Sequence, residues 1–212
     1  MPEMHPDPAL LLEHASGRLA HHLRPIVEAH ADLCPECRAA LGELAAPGGE
    51  LLAEAPGEAP PPELWSRLQA ALEGERRRVP RLPAGAPLPP SALAELPDRV
   101  QATWGGILAR GARFFVLDRD ERSDSLLALA HMPGGRRFPR HTHHGFEHAV
   151  VLAGGYEDES GSYDVGDFAV YPPDSDHGPS TFEGEACWIL FTIEKPVRFH
   201  GWRGLLQRFA GG

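Results

Sequence analysis

Gly135–Gly154, with the sequence GRRFPRHTHHGFEHAVVLAG, carries the strongest structural signal in this chain of 212 residues. His141 and His143 lie two residues apart, so on one β-strand their side chains point to the same face. Glu147 follows and can reach that face from the next turn or strand. Such nitrogen and oxygen ligands suit zinc, iron, manganese or nickel, and the sequence does not choose among these metals. The competing interpretation is a loop that carries surface histidines.

Short strand-like segments lie on both sides of this motif, separated by Gly, Pro and Asp clusters that favour turns. They are Arg113–Leu117, Ser125–Ala130, His148–Leu152, Asp167–Tyr171 and Ala186–Ile193. Each is apolar or alternates between apolar and polar residues. This pattern is typical of an all-β barrel or sandwich.

The front of the chain has a helical pattern instead. Asp7 can cap a first helix that begins at Pro8, and Gly17 can end it, because glycine readily adopts the left-handed conformation. A second helix fits Leu23–His30, and a third begins near Cys34. The front of the chain is therefore predicted to be a small helical domain.

A fourth helix is predicted to begin near Pro62 and to carry an apolar stripe. The stripe consists of Leu64, Trp65, Leu68 and Leu72. It either packs on the domain's own helices or enters a groove of a partner protein, and both arrangements can hold in different states. The preceding segment Ala46–Pro61, APGGELLAEAPGEAPP, predicts a flexible connection that lets the fourth helix swing.

Val79–Pro90 reads VPRLPAGAPLPP, and a proline every few residues opposes both helix hydrogen bonding and central strand pairing. We interpret residues 79–97 as a proline-rich linker. It separates a helical domain over residues 1–78 from a β domain over residues 98–212. The predicted fold class is therefore α+β in two domains.

The net charge of −10 is unevenly distributed along the chain. Residues 1–75 contain 13 Asp and Glu against four Arg, whereas residues 76–212 contain 17 acidic and 16 basic residues. An acidic front argues against direct nucleic-acid binding, and it is either a solvated surface or a docking face for a basic protein.

No apolar run approaches the roughly 18 residues of a membrane span, and the start lacks a secretion signal. We expect a cytoplasmic protein without membrane association.

His30, Cys34 and Cys37 form a second group of candidate ligands, in the sequence HADLCPEC. If the second helix ends near His30 and the third begins near Cys34, the imidazole and both sulfurs meet where the helix dipole favours a thiolate. Zinc suits these ligands, and a closed tetrahedral site needs a fourth, for which His5 is best placed. The competing candidates are His14, His21 and His22. The alternatives are a redox pair or two small buried residues.

The run from His5 to Cys37, followed by a separate amphipathic helix, resembles the zinc-binding anti-sigma domain of bacterial factors that sequester extracytoplasmic-function sigma factors. The resemblance covers about the first 75 residues. It implies zinc ligands at His5, His30, Cys34 and Cys37.

Gly135–Gly154 is similar to the cupin pattern G-x5-H-x-H-x3-E-x6-G and matches it at every fixed position. The second cupin motif is represented by GDFAVYPPDSDHGPST, and the resemblance implies that His177 completes a site of three histidines and one carboxylate. Asp174 stands where glycine is usual, and Thr181 where asparagine is usual. The turn before His177 is therefore expected to differ in shape.

The combination of these two domains with a proline-rich linker resembles the ChrR-type anti-sigma factors across almost the whole chain. This resemblance implies that the helical domain binds and inhibits a group IV sigma factor. It also implies that the cupin domain is needed for the response to singlet oxygen or organic hydroperoxide. The chain would then regulate transcription and would not be an enzyme.

The alternative is a dioxygenase-like cupin metalloenzyme with an accessory zinc module. Four protein ligands leave two positions of an octahedral metal open, and oxygen or a substrate could bind there.

Overall fold

Helices occupy the front of the chain, as the sequence predicts. The computed structural model describes residues 1–74, 82–96, 111–120 and 123–200. The helices are α1 (Pro8–Ala15), α2 (Arg24–Leu33), α3 (Pro35–Glu54), α4 (Leu64–Gly74) and α5 (Pro90–Ala94). Residues 75–81 and 97–110 lie outside the described residues, and they contain the end of the predicted helical domain, parts of the predicted linker and the predicted start of the β domain.

Local sequence signals account for the ends of the first helices. An oxygen of Asp7 accepts a hydrogen bond from the amide of Ala9 at 2.7 Å, and Gly17 has a φ of +70° just beyond the end of α1. Cys34 caps α3, because its sulfur accepts from the amide of Cys37. The cap places both cysteine side chains at the junction between α2 and α3.

The predicted flexible connection over Ala46–Pro61 is wrong for its first part, because α3 continues as a helix to Glu54. Pro47 lies inside this helix and removes one backbone hydrogen bond. Gly48 and Gly49 also disfavour a helix, whereas Glu50–Glu54 (ELLAE) favours one, and α3 continues through both segments. Among the described residues, no helix combines the length and the hydropathy that a membrane span requires.

The remainder of the described chain forms antiparallel sheets. The strands are β1 (Arg113–Asp120), β2 (Ser125–Met132), β3 (His141–Thr142), β4 (Glu147–Ala153), β5 (Tyr156–Glu157), β6 (Ser162–Tyr163), β7 (Phe168–Tyr171), β8 (Asp176–His177), β9 (Ser180–Thr181), β10 (Cys187–Ile193) and β11 (Arg198–Phe199). A five-stranded sheet has the order β1-β2-β10-β4-β7, and two three-stranded sheets have the orders β11-β3-β8 and β6-β5-β9. The predicted strands are confirmed within a few residues, and the sheets form the expected cupin-like β-sandwich.

The register of the strands brings the second group of candidate ligands together. In the pair formed by β3 and β8, His141 lies opposite His177. In the pair formed by β4 and β7, Glu147 lies opposite Tyr171. Residues that are far apart in sequence therefore face the same interior.

Both faces of the five-stranded sheet are covered. On β2, Leu126 and Ala128 face an internal cavity, whereas Leu127 and Leu129 point to the other side. On that other side the strands share one hydrophobic cluster with the helical front and with α5. The buried members from outside the sheet are Ile26, Ala29, Ala92 and Leu96.

This shared cluster shows that the helical front and part of the predicted linker pack directly on the sheet. The last part of the predicted linker forms α5, which packs against α2, and α2 in turn contacts β4 and β10. Apolar residues of the linker segment, including Leu82 and Leu88, also pack on the cluster. The helical front is therefore docked on the sheet.

Candidate metal centres and partner surface

The first candidate metal centre lies where α2 meets α3. It brings together His5, His30, Cys34 and Cys37, with one ligand atom of each within 4.8 Å of all the others. Nδ1 of His5 lies 3.5 Å from Sγ of Cys34 and 3.4 Å from Sγ of Cys37. Nε2 of the same ring lies 3.9 Å from a carboxylate oxygen of Glu36, so Nδ1 is the nitrogen that faces the cluster.

The three histidines that competed with His5 are engaged elsewhere. Nε2 of His14 lies 2.8 Å from Oε1 of Glu28. His21 pairs with Asp118 at 3.4 Å, and His22 is hydrogen-bonded to Ser125. The structure therefore places only His5, of these four histidines, at the cysteine cluster.

His30 is oriented as a metal ligand. Its Nδ1–H donates to the carbonyl oxygen of Gly166 at 2.7 Å, which leaves the lone pair of the neutral ring on Nε2. Nε2 is buried and has no hydrogen-bond partner among the described protein atoms, and burial lowers the pKa of His30. Burial and the adjacent Cys34 sulfur raise the pKa of Cys37 to about 12, so a cation is needed to favour its thiolate. These ligands fit zinc.

The second candidate centre consists of His141, His143 and His177, all buried, whose ligand atoms lie within 4.8 Å of one another. His141 donates from Nδ1 to the carbonyl of Pro139 at 2.9 Å, and His177 donates from Nδ1 to Asp158 at 2.7 Å. Their Nε2 atoms face each other 3.0 Å apart. Because both carry lone pairs when the rings are neutral, a cation between them would remove the repulsion.

Burial favours the neutral form of His141 and His143. It lowers the pKa of His141 to about 3 and that of His143 to about 4. Nε2 of His143 is buried and has no hydrogen-bond partner among the described protein atoms. Neutral imidazoles with free Nε2 lone pairs are the form that binds a divalent metal, so the donor set fits one.

Glu147 lies at the margin of this centre. Its Oε2 is 3.5 Å from Nδ1 of His143, and the carboxylate does not belong to the group of mutually close ligand atoms. Burial raises the pKa of Glu147 to about 7. Its role as the fourth ligand stays a prediction.

Three residues that sequence reasoning missed support His177. Asp158 accepts from His177 and also from the hydroxyl of Tyr171 at 2.6 Å. The hydroxyl of Tyr156 lies 2.9 Å from that of Tyr171 and donates to it. Although burial raises the pKa of Asp158, hydrogen bonds from His177 and Tyr171 lower it below its usual range. The residues that form these hydrogen bonds are separated by 13 to 19 positions in the sequence. No local sequence pattern therefore predicts them.

Comparison with known proteins identifies the family. A family described as "ChrR Cupin-like domain" matches residues 96–198. The anti-sigma-E factor ChrR of Cereibacter sphaeroides is 32% identical over 203 residues, which cover 92% of each chain. The chain belongs to the ChrR family of anti-sigma factors. A crystal structure of Rhodobacter sphaeroides SigE in complex with the anti-sigma ChrR matches with 28% identity and a TM-score of 0.65, over 91% of this chain and 99% of the other.

Membership of the ChrR family favours a regulator over the alternative of a cupin enzyme. The interior nevertheless has room for a small molecule. A cavity of about 280 Å³ adjoins the histidine centre and is lined mainly by apolar side chains. Its polar end is formed by His141, Glu147, Tyr156 and His177.

The stripe on α4 is largely exposed in this ChrR-family chain. Trp65, Leu68 and Leu72 retain 68%, 46% and 74% of their accessible surface, whereas Leu64 is half-buried. The end of α3 adds Leu51 and Leu52, which are 70% and 77% exposed. Sequence reasoning missed these two leucines because it assigned them to a flexible connection. In this state the stripe does not pack on the domain's own helices.

Proposed function

We propose that this chain binds an extracytoplasmic-function (group IV) sigma factor, inhibits it, and releases it under oxidative stress. The observation that carries the proposal is the exposed apolar surface of α3 and α4, on an acidic helical front. We call this surface, formed by Leu51, Leu52, Trp65, Leu68 and Leu72, the apolar helix surface. It would enter a groove of the sigma factor and keep that protein from RNA polymerase.

The charge of the front supports a basic protein as the partner. Residues 1–75 contain 13 acidic residues against four Arg, and in the described part of α3 and α4 most side chains are exposed. Complementary charge increases the association rate and selects the partner, while burial of the aromatic and leucine side chains supplies most of the affinity. Trp65 is the natural anchor because its ring is large and exposed.

The first centre would hold zinc through His5, His30, Cys34 and Cys37. When bound, zinc supplies a cross-link that ties the N-terminal segment to the junction of α2 and α3. The four residues converge with a buried, unpartnered Nε2 on His30, which supports a closed structural site. The predicted zinc ligands would thus stabilise the part of the chain that presents the apolar helix surface.

The second centre would hold a divalent metal (zinc, iron, manganese or nickel) through His141, His143 and His177, with Glu147 as the predicted fourth ligand. We assign to it the response to singlet oxygen or organic hydroperoxide. The adjoining apolar cavity supports access by a small organic molecule. The proposed place of action is the cytoplasm, where RNA polymerase and its sigma factors work.

The test is a sigma-dependent transcription assay with purified full-length protein. A group IV sigma factor from the same source, added with core RNA polymerase, should lose promoter-dependent activity as the protein is titrated to a 1:1 ratio. A housekeeping sigma factor serves as the control and should be unaffected. Equal inhibition of both sigma factors, or of neither, would refute the proposal.

A further inference from the structure

The first residues of the chain lie along the β-sandwich and are hydrogen-bonded to the start of β7. We call this contact the N-terminal seam. Oδ1 of Asp167 accepts hydrogen bonds from the amides of Glu3 at 2.7 Å and Met4 at 3.1 Å. The amide of Phe168 donates to the carbonyl of Met4 at 3.0 Å. Three hydrogen bonds therefore hold the two residues that immediately precede His5.

Gly166, which precedes Asp167 in the turn before β7, contacts His30. The carbonyl of Gly166 accepts from Nδ1 of His30 at 2.7 Å, and Phe168 lies edge-on to the imidazole with ring centroids 5.7 Å apart. Gly166 has a φ of +94°, and a Cβ there would lie 2.5 Å from Cγ of Pro2 and 3.4 Å from Cβ of Leu33. Glycine allows the turn to approach both the N-terminal segment and α2.

Asp167 is fixed for this task. It is 4% exposed, and its second oxygen accepts from the amide of Asp164 at 2.8 Å, which anchors the carboxyl group in its own turn. The other carboxylate oxygen accepts from two amides that lie 163 and 164 residues away in sequence. Burial of this oxygen would be unfavourable without these two hydrogen bonds. The N-terminal seam is therefore a specific contact.

We propose that Gly166 and Asp167, in the β-sandwich, are positioning residues for the zinc site of the helical front. Asp167 fixes the backbone before His5, and Gly166 fixes the ring of His30, so two of the four ligands are oriented by the other half of the chain. The site is composite. It holds its metal tightly when the helical front is docked and loosens when the two parts separate. This inference rests on the proposed zinc at the first centre.

The composite site has a direct physical connection to the second centre. β7 begins two residues after Gly166 and ends at Tyr171, whose ring stacks on His143 with an interplanar angle of 12° and lies 4.1 Å from the ring of His177. A rearrangement of the histidine centre that shifts β7 would move Gly166 and Asp167. The zinc ligands would then lose the contacts that orient them.

The test uses full-length protein loaded with Co²⁺ in place of zinc. Only the first centre contains cysteines, so a thiolate-to-cobalt charge-transfer band reports on that centre alone. The rate at which EDTA bleaches this band is measured for the parent, for Asp167→Leu and for Asp167→Asn. Outer contacts of metal ligands typically contribute 10–100-fold in affinity, so Asp167→Leu should lose the metal at least about tenfold faster. Asp167→Asn keeps an oxygen acceptor and should restore much of the difference.

A double-mutant cycle separates positioning from general destabilisation of the β-sandwich. The double substitution Glu3→Pro with Met4→Pro removes the two amide N–H groups that donate to Asp167 and keeps the carbonyl of residue 4 that accepts from Phe168. In that background Asp167→Leu should have no further effect on the bleaching rate. If the same acceleration persists in the double-proline background, Asp167 acts only through the fold and the inference is overturned.

Two glycines provide a matched pair for the case that Asp167→Leu does not fold. Gly166→Ala and Gly184→Ala introduce the same strain, at φ of +94° and +88°, but a Cβ at Gly184 meets nothing within 4 Å. Only Gly166→Ala should speed cobalt loss, and equal rates would overturn the inference. If the parent itself shows no charge-transfer band, the proposed metal assignment fails and the inference with it. If the band is normal but Asp167→Leu does not change the rate of cobalt loss, the inference is wrong and the metal assignment stands.

Discussion

The same arrangement of a histidine ring recurs at both candidate centres. His30, His141 and His177 each donate from Nδ1 to an oxygen, provided by Gly166, Pro139 and Asp158 respectively. That hydrogen bond fixes the neutral tautomer and aims Nε2 at the other ligands. The orientation of each candidate ligand is thus set by a residue outside the two groups of candidate ligands.

At the residue scale, Cys34→Ser and Cys37→Ser should each abolish zinc binding at the first centre. A structural zinc site contributes on the order of 10 kcal/mol of apparent binding free energy, so the helical front should also lose its order and its sigma inhibition. Metal analysis, together with the transcription assay, measures both losses.

Cys187 provides the control for these substitutions. It is fully buried in β10 and belongs to neither group of candidate ligands, and burial raises the pKa of its thiol to about 12. Cys187→Ala should retain zinc and inhibition, with only the modest destabilisation of a small buried side chain. Full inhibition by a Cys34→Ser protein proven to be free of metal would contradict a structural role for zinc.

At the scale of single elements, the apolar helix surface should supply most of the affinity for the sigma factor. Trp65→Ala and Leu72→Ala each remove an exposed side chain that would be buried in the complex. Loss of a buried tryptophan anchor commonly costs about 2 kcal/mol or more, so Trp65→Ala should weaken binding at least about 30-fold. Calorimetric titration of purified sigma factor measures the change.

Arg67→Ala is the matched control on the same helix. Arg67 is exposed and lies about 200° around α4 from Trp65, so it faces away from the apolar helix surface. Its removal makes the helix more acidic and should leave the affinity for a basic partner equal or higher. Unchanged affinity of both Trp65→Ala and Leu72→Ala, with the fold intact, would remove α4 from the interface.

Elements with strong local signals could be predicted from the sequence. The cap at Asp7, the turn at Gly17 and the apolar run of β2 depend on neighbouring residues only, and they are confirmed. The spacing of His141 and His143 likewise predicted that these two candidate ligands lie close together. The helical continuation beyond Pro47 was missed because a proline followed by two glycines is typical of a break, although Glu50–Glu54 favours the helix.

Contacts between distant elements could not be predicted in this way. The docking of α2 on β4 and the bonds from Asp167 to residues 3 and 4 join groups that no local pattern links. The support of His177 by Asp158 and Tyr171 is of the same kind. Such contacts arise from packing of the whole chain, so local sequence patterns do not reveal the core that the helical front shares with the sheet.

At the scale of the whole molecule, residues 1–78 should inhibit the sigma factor alone, because the apolar helix surface and the predicted zinc ligands all lie there. The fragment should nevertheless be less stable than the full chain. It exposes Ile26 and Ala29, which are fully buried against the sheet, and exposure of one isoleucine costs roughly 1.5–3 kcal/mol. Urea unfolding followed by circular dichroism, beside the transcription assay, tests both statements. A fragment that folds and retains its zinc but does not inhibit would place part of the sigma interface in the β-sandwich.

The second centre should control release and leave binding unchanged. His141 and His143 lie inside the β-sandwich, away from the apolar helix surface, so the complex should form without them. We therefore expect His141→Ala and Glu147→Ala to bind the sigma factor with parental affinity in vitro.

Release is measured in cells exposed to singlet oxygen. The activity of a sigma-dependent reporter should stay low for both variants and rise for the parent. His144→Ala is the control, because this neighbouring histidine is exposed, and it should respond like the parent. Loss of sigma binding in His141→Ala, or release as ready as that of the parent, would exclude the second centre as the sensor.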